Sequence, residues 1–545
     1  MFVRIKKTGH YNYLQVVQNF RENGKIKQRV LATLGRMEEL TDNGQIDRLT
    51  QSLARHAKNI PLVLHAQSEP EANTISIGPA LVFERIWEEL HIPEVIYQAL
   101  EGRKFGFDVE RAIFLTVLHR LFQSGSDRAC EQWKEDYWVE GSEQIALHQL
   151  YRAMAFLGEE LEQDQEVMSL TPRCRKDWME EKLFTRRKDL FSTLNLVFFD
   201  TTSLYFEGLG GQTLGEYGYS KDNRPDLPQM VVGAIVDQQG YPLCSEMWPG
   251  NTADITTLLP VTHRLKKRFG VENICVVADR GMISAHTIEE LEKRKMSYIL
   301  GVKMRNNRKI AEQVLSRAGK YKEVCFHKSS RKEASGIKVK EVWYQDKRYV
   351  VCFNEQQAEK DARDREAIIA SLEDKIKSGV RQFIANKGYR KYLKIASQSI
   401  TIDRQKIRQE ARYDGKWILT TNTSLSAEEV ALRYKELWQV EYVFRDIKNI
   451  LATRPIYFKC VETIRGHVFV SFLALLLRKE LDRRLLQKGY SFQWDQIKRD
   501  LQALRQIIIQ QDNKKVAIRT ALQGVCAHVF QSVGVAIPKV MNTLN

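Results

Sequence analysis

Residues 11 to 34 alternate apolar and polar positions as strands do, and Asn23-Gly24 separates two such runs where a hairpin turn needs positive φ. The chain is therefore expected to open with a small sheet. From about 79 to 158 the apolar positions take helical spacing, as in Val109, Ala112, Ile113, Thr116, Val117 and Leu121 behind a candidate N-cap at Asp108. Residues 58 to 78 lack a strong period and read as a linker.

A different pattern begins at 195. Leu196 to Phe199, Met230 to Val236, Pro242 to Met247, Ile274 to Ala278 and Tyr298 to Val302 are short β-like runs, and helical spacing fills 254–269 and 284–295. Asp237-Gln-Gln-Gly240 makes the second and third runs an antiparallel hairpin. The later runs are separated by helices and should be parallel, so the expectation is an α/β core with a mixed sheet. Residues 321 to 355 return to alternation, a charged helical stretch runs to about 378, and 391–402 is strand-like again. The α/β pattern resumes only at Lys416-Trp-Ile-Leu-Thr420. The expected organisation is a sheet plus helix over 1–60, a helical domain over 61–190, a core over 191–305 and 416–460, a β-rich insertion over 306–415, and a C-terminal helical region over 461–545.

Composition narrows the class. The 545 residues, at roughly 150 per domain, make three or four structural units, and 43% hydrophobic with 28% charged residues is a globular balance that excludes a disordered or collagenous chain. Lys and Arg number 84 against 68 Asp and Glu, a formal charge of +16 that favours a polyanionic partner, nucleic acid first. Arg173, Arg175, Lys176, Lys182, Arg186, Arg187 and Lys188 form a basic approach to the core, read either as a solvated helix face or as a DNA contact. The eight cysteines form no C-x-x-C pair and no zinc-site spacing, which fits a reducing compartment. Polar residues interrupt the N-terminus before a signal-peptide core could form, and the longest apolar stretch, Val468 to Leu477, is about half a membrane span. A cytoplasmic, nucleoid-associated protein with no membrane partner is expected.

Two carboxylates sit where buried β runs end: Asp200 after Asn195-Leu-Val-Phe-Phe, and Asp279 after Ile274-Cys-Val-Val-Ala. Strand rims are where α/β sites form, although a turn-forming Asp after a strand is also ordinary. Asp237 illustrates the ordinary case, since Gln-Gln-Gly follows it in a hairpin. Over Ser426 to Leu451 one helix is expected, with Leu437, Val440, Phe444, Ile447 and Leu451 as its apolar stripe. Beside that stripe Tyr434, Trp438, Glu441, Arg445 and Lys448 form a second one. An exposed face with i,i+4 ion pairs accounts for the charges. The aromatics favour a face on nucleic acid, where they stack on bases.

Phe198-Phe-Asp-Thr-Thr202, Val277-Ala-Asp-Arg-Gly281 and Tyr434-x2-Leu437-x3-Glu441-x6-Lys448, in this order, resemble the DDE transposases of bacterial insertion sequences, in particular the family with a Y-x2-R-x3-E-x6-K signature. The resemblance runs from about 195 to 480. It includes Gly218-Tyr-Ser-Lys-Asp-Asn-Arg-Pro-Asp-Leu-Pro-Gln229, Pro249-Gly-Asn-Thr252 and Arg465-Gly-His-Val-Phe-Val-Ser-Phe-Leu-Ala-Leu-Leu-Leu477. Leu437 departs from the signature Arg, and Arg445, one turn beyond Glu441, is a candidate to supply the missing charge. The resemblance implies a ribonuclease-H-like fold with Asp200, Asp279 and Glu441 as catalytic residues and metal ligands, and a mainly β insertion between the second and third acids. It also implies DNA contacts by Tyr434, Trp438, Arg445, Lys448, Lys221, Arg224 and Arg280. The sheet and helix over 1–60 are expected to bind the DNA ends and the helices over 61–190 to bind DNA or dimerise, without a clean helix-turn-helix.

Phosphodiester exchange needs an activated oxygen nucleophile, a stabilised five-coordinate phosphorus and a neutralised leaving oxygen. Two divalent ions about 3.5–4 Å apart supply all three. An all-carboxylate set suits Mg²⁺, with Mn²⁺ as substitute. The expected partners are double-stranded DNA, as terminal inverted repeats and as target, and further copies of the chain in a dimer or larger synaptic complex. Two alternatives stay open: a DNA-binding or architectural protein on a degenerate scaffold, and a metal-dependent nuclease without strand transfer.

Overall fold

The structure is a computed structural model that describes residues 1–22, 24–54, 56, 71–161, 171–187, 196–208, 211, 213–271, 274–305, 310–326, 335–378, 387–395, 400–511 and 514–544. The chain folds as two compact units: residues 1–78 with 494–530 and 536–545, and residues 79–493 with 531–535.

The first unit holds two sheets. Phe2–Thr8, Tyr11–Glu22 and Lys25–Arg36 form the expected N-terminal sheet, antiparallel throughout, with helices Met37–Asp42 and Gln45–Ala54 after it. Gly24 turns the hairpin at φ +76°, and Asn23 lies outside the described residues. The second sheet corrects the expected C-terminal helical region: beyond Trp494–Gln502, Arg505–Gln511 and Lys514–Arg519 are strands. They pair with each other, with Met541–Leu544, and with Glu71–Ser76 from the stretch read as a linker, whose residues 58–70 lie outside the described residues. Ile507-Ile-Ile509 and Val516-Ala-Ile518 show why: short apolar runs have no period of their own, and β-branching decides for strand.

The second unit is built on one mixed sheet. Its strands are β1 Leu196–Tyr205, β2 Gln229–Val236, β3 Pro242–Pro249, β4 Cys275–Ala278, β5 Ser297–Gly301, β6 Lys322–Phe326, β7 Ser335–Tyr344, β8 Lys347–Phe353 and β9 Lys416–Thr421. Their order is β6-β7-β8-β9-β5-β4-β1-β2-β3. As expected, β2 and β3 form an antiparallel hairpin, and β1, β4 and β5 are mutually parallel. Asp237 turns that hairpin, its Oδ1 accepting from the backbone N–H groups of Gln239 (2.8 Å) and Tyr241 (2.9 Å). Of the β-rich insertion, Leu393–Ile395 and Ile400–Ile402 pair apart from the main sheet, whereas β6, β7 and β8 do not stand apart. They continue the sheet through β9, which pairs antiparallel with both β5 and β8.

The same unit holds helices α1 Val109–Phe122, α2 Leu147–Gly158, α3 Arg175–Arg186, α4 Asp254–Arg268, α5 Ala427–Lys435, α6 Trp438–Arg445 and α7 Val461–Gln487. Asp108 caps α1 as expected, Oδ1 accepting from Arg111 N–H at 3.1 Å. The helical region is not detached, because α1 and α2 pack on α7. A Cβ on Gly466 would lie 1.9 Å from the Met154 carbonyl oxygen, and one on Gly158 would lie 2.0 Å from that of Glu462, so α2 and α7 meet backbone to backbone. On one sheet face Val197, Phe199, Trp248, Leu258 and Leu265 are buried together, and on another Leu204, Met230, Val232, Ile456 and Val468.

His467 on α7 is enclosed in this packing. Its Nδ1 accepts from Arg120 Nη2 at 2.7 Å and its Nε2 donates to the Thr453 carbonyl at 2.9 Å, a pattern that requires the neutral ring. Burial and the Arg120 charge hold its pKa well below the ordinary histidine value. Below about pH 6.5 the unfolded chain therefore binds a proton at this position that the folded chain refuses, and stability falls with falling pH by about 1.4 kcal/mol per unit from this residue. Unfolding curves at pH 7 and pH 5 should show a smaller loss in His467→Gln than in the wild-type chain. Equal losses would remove His467 from the acid response.

Candidate active site

β1 does not end at Asp200, as the sequence suggested. Thr201, Thr202 and Ser203 carry the strand on to Tyr205, paired throughout with β2. On its other edge the parallel pairing stops with Phe199 opposite Ala278, and the chain leaves β4 at Asp279. Asp200 and Asp279 are therefore the first residues beyond the last pair of two diverging parallel strands, a place where sheets open a crevice. A mid-strand carboxylate reaches the site because its neighbour strand is short.

Asp200 Oδ1 accepts from the Thr201 N–H at 2.7 Å. Burial pushes its carboxyl up to about 6, against the pull of Lys221 and the Thr201 N–H, and the charges of Asp279 and Asp254 add to the rise. Asp254 was not among the residues read from the sequence. It stands in the first turn of α4, where an acid is favoured by the helix dipole alone. Its only signal was its place two residues past Pro249-Gly-Asn-Thr252. Here it accepts from Thr201 Oγ1 at 2.7 Å and pairs with Lys221 at 3.1 Å.

Tyr434 closes the other side, donating from its hydroxyl to Asp279 Oδ1 at 2.9 Å. Burial, with the Asp279 charge, raises the phenol far above its ordinary pKa, so it remains a donor. Gly301 at the end of β5 makes this contact possible, because a Cβ there would lie 2.4 Å from the Tyr434 hydroxyl oxygen. A cavity of about 430 Å³ is lined by Asp200, Asp279, Glu441, Tyr434, Trp438 and Arg280, among others. The Trp417 indole N–H on its wall has no hydrogen-bond partner among the described residues.

The donor set fits a hard divalent cation in kind: Asp200, Asp279 and Asp254 supply carboxylate oxygens against the one charge of Lys221, and burial first, then the neighbouring carboxylates, raises the Asp200 pKa. Glu441 shares the cavity wall, but among the described residues no three His, Cys, Asp or Glu side chains converge closely enough to hold one ion. The carboxylates from the sheet form the prearranged part of the site.

The helix that carries Glu441 is not continuous. Leu437 N–H to Tyr434 O, Gln439 N–H to Glu436 O and Val440 N–H to Leu437 O are i→i+3 bonds that tighten the chain between α5 and α6, and Asp446–Ile450 forms a wide π turn after α6. The expected polar stripe divides accordingly. Tyr434, Trp438 and Glu441 face the cavity, while Lys448 turns to Asp222 at 2.7 Å, which Arg454 also pairs at 2.5 Å. Arg445 is exposed and lies over the Tyr442 ring at 3.7 Å. Leu437 is buried, as its place in the apolar stripe required. Lys221 donates to Thr201 O (2.8 Å) and Oγ1 (2.7 Å), and Arg224 forms an exposed pair with Asp226. Of the residues read as DNA contacts, Lys221 and Lys448 are thus engaged within the protein, whereas Trp438 and Arg445 present open surface.

Residues 192–477, over half of the chain, match the family model described as the transposase DDE domain. The chain belongs to the DDE transposases. Residues 3–68 match the IS1634 family transposase N-terminal domain, which makes it an insertion-sequence transposase. A comparison with curated proteins returns no match. No helix among the described residues is long and apolar enough to cross a membrane.

Proposed function

We propose that this transposase cleaves the ends of its insertion sequence and joins the freed 3′-hydroxyls to target DNA, with Asp200, Asp279 and Glu441 as the catalytic carboxylates. The observation that carries the proposal is the juxtaposition of Asp200 and Asp279 at the divergence of β1 and β4, with Glu441 on the wall of the same cavity. The order β3-β2-β1-β4-β5, antiparallel over its first three strands and parallel over β1, β4 and β5, supports a ribonuclease-H-like core.

Asp200, Asp279 and Glu441 would hold divalent ions, Mg²⁺ or Mn²⁺, which when bound activate the attacking oxygen and neutralise the leaving one. The protein's own groups prepare that site. Tyr434 fixes the rotation of Asp279 through its hydrogen bond. Lys221 and Asp254 fix Thr201, whose N–H holds Asp200. The low-dielectric surroundings that raise the Asp200 pKa also strengthen its attraction for a cation. Glu441 comes from a segment with irregular turns before and after it, which suits a ligand that closes on the ions when DNA enters. Two or more copies of the chain would hold the two ends together.

The test is incubation of the full chain with duplex DNA from the flanks of its own gene and Mg²⁺, with cleaved and joined products mapped by sequencing. Strand transfer supports the proposal; cleavage alone would make the protein a nuclease, and binding alone a DNA-binding scaffold. Trp438 adds a second prediction. The residue is 53% exposed and its ring meets Tyr442 edge-on, so it carries little packing. Trp438→Ala should change stability by less than about 0.5 kcal/mol. It should slow end processing by the roughly 1–3 kcal/mol that a stacked base contributes. A large drop in melting temperature with full activity in the folded fraction would instead make Trp438 a packing residue.

A further inference from the structure

Residues 1–36 carry eight Lys and Arg against one Glu, on a sheet with few buried side chains. Cross-strand partners point to the same side of a sheet, so the register sorts its two faces. Arg4, Gln15 and Thr33 form one row, Asn19 and Gln28 another, and Lys6, Tyr13 and Arg36 a third, all on one face around Phe2, Val17 and Val30. The opposite face stacks Val3, Val16 and Ala32 beside Ile5, Leu14 and Gly35, and Leu40 from the following helix closes on Gly35. The second face also carries Lys7 with Asn12, Gln18 with Arg29, Phe20 with Lys27 and Glu22 with Lys25, so only its middle is apolar and partly covered by its own helix, whereas the first face is chiefly amide, hydroxyl and guanidinium.

The polar face is also organised. Arg4 Nη1 donates to Gln28 Oε1 at 2.7 Å, Arg4 Nη2 to Gln15 Oε1 at 3.3 Å, and Gln15 Nε2 to Thr33 Oγ1 at 3.3 Å. These bonds hold two amides and a guanidinium in fixed positions across all three strands, with the Gln28 amide N–H donors directed to no partner among them. Lysines on the outer strands alone would be explained as protection of sheet edges against pairing. Edge protection does not account for a cross-linked Arg-Gln-Gln lattice on the face itself.

We propose that this face reads base pairs in the major groove of the element's terminal repeats, with Gln15, Gln28 and Arg4 at base edges and Lys6 and Arg36 of the two outer strands on the flanking phosphates. This rests on the transposase reading above. Three strands at about 4.8 Å spacing make a backbone some 10 Å wide, comparable with a major groove of about 12 Å. Gln is suited to adenine and Arg to guanine, while the net positive charge of the sheet supplies the sequence-independent attraction.

The experiment is equilibrium binding of the full chain to a duplex carrying its own element's end and to a shuffled duplex of equal length, for the wild type and for the double variant Gln15→Ala, Gln28→Ala. The double variant keeps every charge. It should bind shuffled DNA within about threefold of wild type, yet lose roughly tenfold or more of its preference for the end. Because the variant could fold poorly, dimethyl sulfate footprinting of the wild-type complex supplies an independent measure, with guanine N7 protection expected within the repeat. Retained preference in a folded variant, or no N7 protection, overturns the assignment. The two readings fail separately: DNA joining with an unaffected preference removes the sheet's role alone, and lost preference without any cleavage by the wild type removes the catalytic reading alone.

Discussion

Asp279→Asn is expected to lower DNA cleavage about a thousandfold or more while leaving end binding within about threefold. The estimate follows from the several kcal/mol of transition-state stabilisation that a carboxylate-held ion provides. The substitution preserves the shape of the side chain and keeps an oxygen able to accept from Tyr434, but it removes the charge that attracts the ion. Tyr434→Phe isolates the orienting bond and should cost a smaller factor, about 10–100-fold, as is usual when a metal ligand loses its supporting partner. Cleavage and binding are measured on the same labelled duplex. Equal loss of both in Asp279→Asn would assign Asp279 to folding, and undiminished cleavage would remove it from the site.

How far this site is legible in the sequence depends on how local each signal is. Asp200 and Asp279 are legible because each follows a run apolar enough to read as a buried strand, and the neighbouring β1 and β4 make those runs adjacent. Asp254 and Gly301 are not, because their roles exist only across elements: Asp254 matters through Thr201 and Lys221, and Gly301 through the space it leaves for the Tyr434 ring. Helical arithmetic placed Tyr434, Trp438 and Glu441 together correctly. It failed at Lys448 because a π turn, which residue spacing does not announce, intervenes after Arg445. The C-terminal strands escaped for a related reason, since their partner at Glu71–Ser76 lies more than four hundred residues away in the chain.

The basic approach at 173–188 shows a different limit, and it yields the second large effect. Its charges divide: Lys182 and Arg186 are exposed, Lys188 lies outside the described residues, and the other four are engaged within the protein. Arg173 pairs with Glu181, Arg175 with Glu159, and Arg187 is buried over the Tyr241 ring at 3.6 Å. Lys176 reaches Asp177 at 2.5 Å and the Ser245 carbonyl at 2.8 Å. Arg264 from α4 completes a buried cluster, donating to Glu180 at 2.7 Å and Glu246 at 2.6 Å, with Asp177 at 3.2 Å. The cluster fastens α3 to β3 and α4.

Arg264→Met fills similar space but removes the guanidinium that pairs with Asp177, Glu180 and Glu246, and should destabilise the second unit by about 3–5 kcal/mol at pH 8. Burial already raises the Glu180 pKa in the presence of Arg264, and its removal raises it further. Between that elevated folded value and the ordinary unfolded one, the folded variant binds a proton that the unfolded chain does not, so its stability recovers as pH falls. Denaturant unfolding at pH 8 and pH 5 should therefore show the gap to wild type narrowing at the lower pH. A gap under about 1 kcal/mol at pH 8, or one that widens on acidification, would mean that Arg264 is not the charge holding these carboxylates in the interior.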